Sequence, residues 1–135
     1  MAPQALSGLF GSFWPGLRRG QAGEALACRH LAGQGFVILC RNFRCRSGEL
    51  DIVARDPDGT IVFVEVKERG GAGHGAGYEA VTFGKRLRVL RAARFYAAGR
   101  GLGESAIRFD VISVDWRVGR PSIRHDRGAF DEDGL

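Results

Sequence analysis

Apolar residues at Ala22, Ala25, Leu26, Cys28, Leu31 and Ala32 recur at helical spacing and predict a helix over residues 21–34, ended by Gly33 and Gly35. Residues 36–40 form a short apolar run that reads as a first strand. Residues 41–48 are basic and polar and are expected to turn into the next strand. Residues 49–55 alternate around Asp51, and residues 60–67 are rich in β-branched side chains. Between them, Asp56-Pro57-Asp58-Gly59 is a turn signal, because Pro presets one φ and Gly permits a positive one. The pair is therefore expected to be an antiparallel hairpin. Its second strand is apolar on both faces, as in the centre of a sheet.

Residues 69–77 are glycine-rich around His74 and read as a mobile loop; they lack the Gly-Lys-Ser/Thr ending of a phosphate-binding loop. Residues 79–98 predict a second helix with Val89, Leu90, Ala93, Tyr96 and Ala97 on one face and Arg88, Arg91 and Arg94 on a basic flank. Gly99, Gly101 and Gly103 stop it. A strand follows over residues 107–114, and a short last one over 122–125. The expected organisation is a flexible extension over residues 1–19, one domain over 20–130 and a frayed acidic tail over 131–135. Phe10, Phe13 and Trp14 give the extension a possible membrane or partner contact.

With 135 residues, the chain suits a single core without disulfides or a structural metal. Three cysteines without a CxxC pair exclude a disulfide framework and a zinc ribbon, and point to a reducing, cytoplasmic compartment. No apolar run is long enough to cross a membrane. Lys and Arg total 20 against 15 Asp and Glu, and only Lys67 and Lys85 are lysines. An arginine-dominated surplus leans towards nucleic acid, since guanidinium grips phosphate as a fork.

The chemistry concentrates in the hairpin. Glu49 and Asp51 are two apart and share a face, as do Glu65 and Lys67 on the next strand. Aligned faces would bring Asp51, Glu65 and Lys67 together in an apolar sheet, where such charges need compensation. A divalent cation compensates carboxylates, and Mg²⁺ prefers one or two acids with water and phosphate oxygens. The same spacing also fits an ordinary hairpin with a cross-strand ion pair.

The ordered stretches Gly23-Glu24, Ala27, Leu31, Gly35-Phe36, Arg41-Asn42-Phe43-Arg44, Gly48-Glu49-Leu50-Asp51-Ile52-Val53, Phe63-Val64-Glu65-Val66-Lys67, Ala80-Val81 with Lys85, and Arg108-Phe109-Asp110-Val111 carry a resemblance. Together they resemble the UPF0102 (YraN-like) family of predicted endonucleases, within the PD-(D/E)xK superfamily. Glu68-Arg69 departs from the Thr-Arg or Ser-Arg of that pattern, at a position expected to face away from the site. The resemblance implies an α/β, restriction-endonuclease-like fold: a mixed central β-sheet flanked by α-helices, with an αβββαβ core. It implies a nuclease hydrolysing DNA phosphodiesters with Mg²⁺ or Mn²⁺, held by Asp51, Glu65 and, from the first helix, Glu24. Lys67 would be the catalytic lysine.

Glu49 could be a peripheral ligand or pair with Arg44 or Arg46. Lys85, placed where the helix dipole disfavours a cation, suggests a phosphate contact. Arg44, Arg46, Arg69 and Arg88 are the remaining candidates for nucleic-acid contact, against their reading as solvated surface. Asp110 is expected to brace the sheet or support the site, and His30, His74 and His125 to be solvent-exposed. No aromatic stacking platform for single strands is evident. The sequence leaves substrate form open and allows a homodimer that cuts two strands. An inactive nucleic-acid-binding or scaffold module with the same fold is the alternative.

Overall fold

A computed structural model describes residues 19–70, 82–117 and 119–131, with only the backbone of residues 19–21. The expected N-terminal extension except Arg19, almost all of the glycine-rich loop with His74, and most of the acidic tail lie outside those residues. The first element is helix α1 (Arg19–Gly33). Ala27 and Leu31 are its fully buried residues. It ends where Gly35 takes a φ of 92° and Phe36 N–H donates to the Leu31 carbonyl at 3.0 Å. That left-handed step satisfies the last carbonyls and turns the chain into the sheet.

Strands β1 (Val37–Cys45), β2 (Gly48–Arg55) and β3 (Ile61–Arg69) follow as an antiparallel meander. The turn between β2 and β3 is built by its own side chains: Asp58 N–H donates to Asp56 Oδ1, Thr60 N–H to Asp58 Oδ1, and Gly59 takes a φ of 94°. Helix α2 (Phe83–Gly99) then crosses over to β4 (Ile107–Asp115), which pairs parallel to β3. Strand β5 (Ser122–Phe130) closes the sheet antiparallel to β4. The spatial order is β1-β2-β3-β4-β5, so β3 is the middle strand, as its two apolar faces predict. The result is a mixed α/β architecture, a five-stranded mixed sheet with two helices, compatible with the restriction-endonuclease-like fold.

Each helix covers its own apolar cluster. Val89, Leu90, Ala92, Ala93 and Tyr96 of α2 pack with Val53, Phe63 and Phe109. Ala27 and Leu31 of α1 pack with Ile52, Val62, Val64 and Ile112. The ring stack Phe63–Phe109–Phe130 spans three strands, with centroids 5.5 and 5.1 Å apart.

Three expectations need correction. Residues 41–45 are strand, not turn: β1 is an edge strand, and its arginines alternate with inward-leaning Phe43 and Cys45. The last strand, which follows the αβββαβ core, reaches Phe130 rather than residue 125. Its polar sequence hides the second half, and Gly128, at a φ of 61°, absorbs a register shift. Helix α2 starts at Phe83 rather than running through residue 82, because Thr82 caps it by accepting from Lys85 N–H at 3.2 Å; residues 79–81 of the expected helix lie outside the described residues.

Gly48, in the β1–β2 hairpin, lies against α2 so closely that a Cβ there would come within 2.6 Å of the Arg88 carbonyl oxygen. Gly48→Ala is expected to lift the hairpin off α2 and destabilise the protein by about 1–3 kcal/mol. Urea unfolding checks this; an unchanged midpoint would mean that the contact adjusts freely.

Candidate functional site

Strands β2 and β3 pair from Arg55↔Ile61 to Ile52↔Val64. At the next position, the Val66 N–H donates to Asp51 Oδ2 at 2.8 Å. A carboxylate thus takes a backbone donor of the central strand, and the strands part around it. Into this opening β3 sends Glu65, 3% exposed, and two residues on Lys67, 6% exposed. Helix α2 sends Lys85, whose Nζ lies 2.7 Å from Glu65 Oε2.

Gly48, Glu49, Asp51, Glu65, Lys85, Arg88 and Val89 line a cleft of about 370 Å³. Asp51 and Glu65 therefore meet in the cleft, as strand spacing and hairpin register anticipate; Lys67 does not line it but lies close enough to Glu65 to act on its charge. Glu49 is exposed on the rim, with Arg44 as its cross-strand neighbour. Lys85 is drawn to an acid inside the site, a stronger placement than its position near a helix start suggests.

Electrostatics set these carboxyls apart. Burial first, and then Asp51, push Glu65 up to about 7, against the pull of Lys85 and Lys67. Burial raises Asp51 as well, opposed by the Val66 N–H and by the Lys85 ammonium. Two buried acids side by side resist ionising together, so added positive charge at this place would favour both carboxylates. Lys85 is itself partly desolvated, yet Glu65 outweighs that and holds its pKa up.

Glu24 of α1 is the third acid. Burial and then Asp51 push it up to about 7. Its Oε1 is buried without a hydrogen-bond partner, and the Arg41 guanidinium stands 4.0 Å away. An orphaned carboxylate oxygen electrostatically coupled to Asp51 suits a cation ligand. Among the described residues no three Asp, Glu, His or Cys side chains form a ready metal cluster. The donors thus fit a Mg²⁺-like ion that keeps waters and takes few carboxylates, not a closed all-protein cage.

Asn42 was not singled out in sequence. It is the non-glycine residue with a left-handed backbone among those described, at a φ of 53°. Its neighbours Arg41 and Phe43 pair with Ile52 and Leu50, so it stands across from Asp51. Its side chain acts on the Glu24 carboxyl, lowering its pKa against the effect of burial. Asn tolerates this conformation better than most residues, and its place in the Arg41-Asn42-Phe43-Arg44 run was the available signal.

Other candidates lie further off. Arg44 and Arg46 are exposed at the hairpin, while Arg88 reaches the acid cleft. Arg69 does not: it lines a second cleft with Ser113, Asp115, Ser122 and Arg124. Glu68 accepts from Trp116 Nε1 at 2.7 Å and packs against Gly23 of α1.

Asp110 braces the sheet. Fully buried, it accepts from Arg108 Nε and Nη2, from the Gly128 N–H, and pairs with His125 Nε2 at 2.8 Å. His125 is therefore not an exposed histidine, since its ring sits between Asp110, His30 and Phe36.

Cys28, Cys40 and Cys45 are free thiols. No helix among the described residues is long and apolar enough to cross a membrane.

The family model described as "Uncharacterised protein family UPF0102" matches residues 23–114, which span all the acids of the cleft. A UPF0102 protein of Mycobacterium ulcerans (strain Agy99) is 49% identical over 116 residues, covering 83% of this chain and 93% of its own. A UPF0102 protein of Syntrophotalea carbinolica (strain DSM 2380 / NBRC 103641 / GraBd1) is 48% identical over 118 residues, covering 87% and 95%. One of Anaeromyxobacter dehalogenans (strain 2CP-C) is 48% identical over 115 residues, covering 85% of each. With a match of this extent along the whole sheet up to β4, the chain belongs to the UPF0102 family.

Proposed function

We propose that the cleft is the active site of a metal-dependent nuclease that hydrolyses DNA phosphodiester bonds. The observation that carries this reading is the meeting of two buried acids, Asp51 and Glu65, in one cleft, with the Lys85 ammonium 2.7 Å from Glu65 and the buried Lys67 on the same strand. Asp51 and Glu65 would hold Mg²⁺ or Mn²⁺, with Glu24 as the third acid. When bound, the ion polarises a phosphoryl oxygen and acidifies water.

The chain's own residues do the rest. The Lys67 ammonium orients the attacking water and steadies the negative charge that develops on the phosphate. Lys85, 2.7 Å from Glu65 at the cleft, would offer the phosphate a second ammonium. Arg88 on the rim, with Arg44 and Arg46 on the hairpin, positions the backbone without reading bases. The sheet and α2 keep the acids largely out of water, where their charges act more strongly.

The test is calorimetry with Mg²⁺ and Mn²⁺ on the wild type and on Asp51→Asn/Glu65→Gln, followed by incubation with duplex, branched and single-stranded DNA. The reading expects binding and metal-dependent cleavage in the wild type alone. Absence of metal binding with and without DNA would sink it and leave an inert binding module.

The raised carboxyls add a pH dependence. Since Glu24 and Glu65 hold protons up to about 7, the cation must displace them at lower pH. Affinity should rise from pH 6 to pH 8, by up to about tenfold per pH unit for each proton displaced. Titration in buffers of different ionisation enthalpy counts those protons, and a flat profile would contradict the assignment.

A further inference from the structure

On its solvent side, helix α2 carries a stripe that begins at the acid cleft. Arg88 lines the cleft, and Arg91 and Phe95 follow within an arc of roughly 60° at about 100° per residue. All three are exposed, Phe95 by 59%. Neither Arg88 nor Arg91 has a carboxylate partner among the described residues.

The inner side of Phe95 is supported. Phe43 of β1 lies 6.2 Å away by ring centroids, tilted by 36°. Phe43 in turn lies edge-on to Tyr96 at 5.2 Å and under the Arg100 guanidinium at 5.4 Å. Phe95 is thus a propped aromatic at the end of a guanidinium track. Among the described residues nothing covers its outer face, which stays 59% exposed.

We propose that this stripe binds a single-stranded nucleic-acid segment next to the scissile phosphate, with an unpaired base stacked on Phe95. The proposal rests on the nuclease reading and deepens it by naming the form of substrate: one that is unpaired on the α2 side of the cut. From Arg88 to Phe95 the helix rises about 10 Å, the span of about three stacked nucleotides. Arg88 and Arg91 neutralise successive phosphates along the way, and Phe95 supplies the π-face that an unpaired base seeks. A duplex can satisfy the arginines but keeps its base faces stacked inside, so it has nothing to offer Phe95.

Fluorescence anisotropy in EDTA, with a labelled oligothymidylate and a blunt duplex of equal length, tests this without turnover. Phe95→Ala is expected to weaken oligothymidylate binding about tenfold and to leave the duplex within twofold. Phe95→Trp should restore the strand and report a folded stripe. Arg88→Ala/Arg91→Ala should weaken both ligands and flatten the salt dependence.

Equal binding of the strand by wild type and Phe95→Ala, or an equal loss for strand and duplex, overturns the proposal. Sedimentation under the same conditions covers the competing occupant: a lower mass for Phe95→Ala with unchanged strand binding also overturns it, in favour of a second copy on the stripe. Metal-dependent cleavage of duplex by Phe95→Ala is measured alongside. Retained cleavage with unchanged strand binding removes this proposal alone, whereas a wild type that binds neither ligand and cleaves nothing removes the nuclease reading with it.

Discussion

Glu65→Gln is expected to lower metal-dependent cleavage by roughly 10²–10³-fold or more while making the metal-free protein more stable above neutral pH. The two effects share one cause. Glu65 sits on the middle strand, almost without solvent, and burial and Asp51 lift its carboxyl to about 7. The folded state therefore favours the protonated acid. In pH terms, a folded pKa above the unfolded one stabilises the fold at acid pH. That contribution is complete below the unfolded value of 4.5 and is lost as pH rises through about 7.

Gln keeps the shape and removes the charge, so at pH 8 the variant escapes a penalty of at most about 3 kcal/mol. Lys85 loses its partner, but it is partly exposed and can turn to water. The same substitution removes a carboxylate that a cation needs. Thermal unfolding in EDTA at pH 5 and pH 8, with cleavage assayed in Mn²⁺, separates the outcomes. A gain in stability at pH 8, absent at pH 5, together with lost cleavage, supports the assignment. Equal stability at both pH values would deny that Glu65 is held uncharged, and undiminished cleavage would deny it a role.

Asp110→Ala should have the largest effect on folding, of about 3–5 kcal/mol. Here the balance runs the other way. Burial alone would raise this carboxyl, yet hydrogen bonds from His125, Arg108 and Gly128 overcome it and hold the pKa at about 2. The carboxylate form is the native form, so its stabilisation is present above the unfolded value of 3.8 and fades as pH falls towards 2.

Arg108 also bridges to Asp56 at 2.9 Å, so one guanidinium ties β4 to the turn between β2 and β3. Alanine at 110 strands Arg108, the His125 ring and the Gly128 N–H at once. Urea unfolding at pH 7 and pH 3 tests this. The difference between wild type and variant should shrink at the lower pH, and a loss below about 1 kcal/mol would show that the network relaxes around the gap.

The β2–β3 hairpin and the central strand were legible because their signals are local. A Pro-Gly turn and a β-branched run need no knowledge of partners. The two-residue spacings Glu49–Asp51 and Glu65–Lys67 were legible for the same reason, since a strand's period places alternate side chains together. The polar edge strands were not. Residues 41–45 and 126–130 are held by the ladders of β2 and β4, and their composition reads as loop until a neighbour is known. Asn42, Arg69 and Phe95 belong to the same class: whether each faces the acids, a second cleft or solvent depends on register and on helix rotation.

By itself, the sequence determined the α/β class, the hairpin, the basic surplus and the identity of the acids and lysines that could act together. Those properties reside in side-chain chemistry and short-range periodicity. Tertiary structure alone decided that β2 and β3 part at Asp51, that Lys85 reaches Glu65 from a helix far along the chain, that Glu24 keeps an orphaned oxygen near Asp51, and that Asp110 and His125 serve the frame. Each depends on contacts between residues distant in sequence, whose geometry is set by how two helices pack on opposite faces of one twisted sheet.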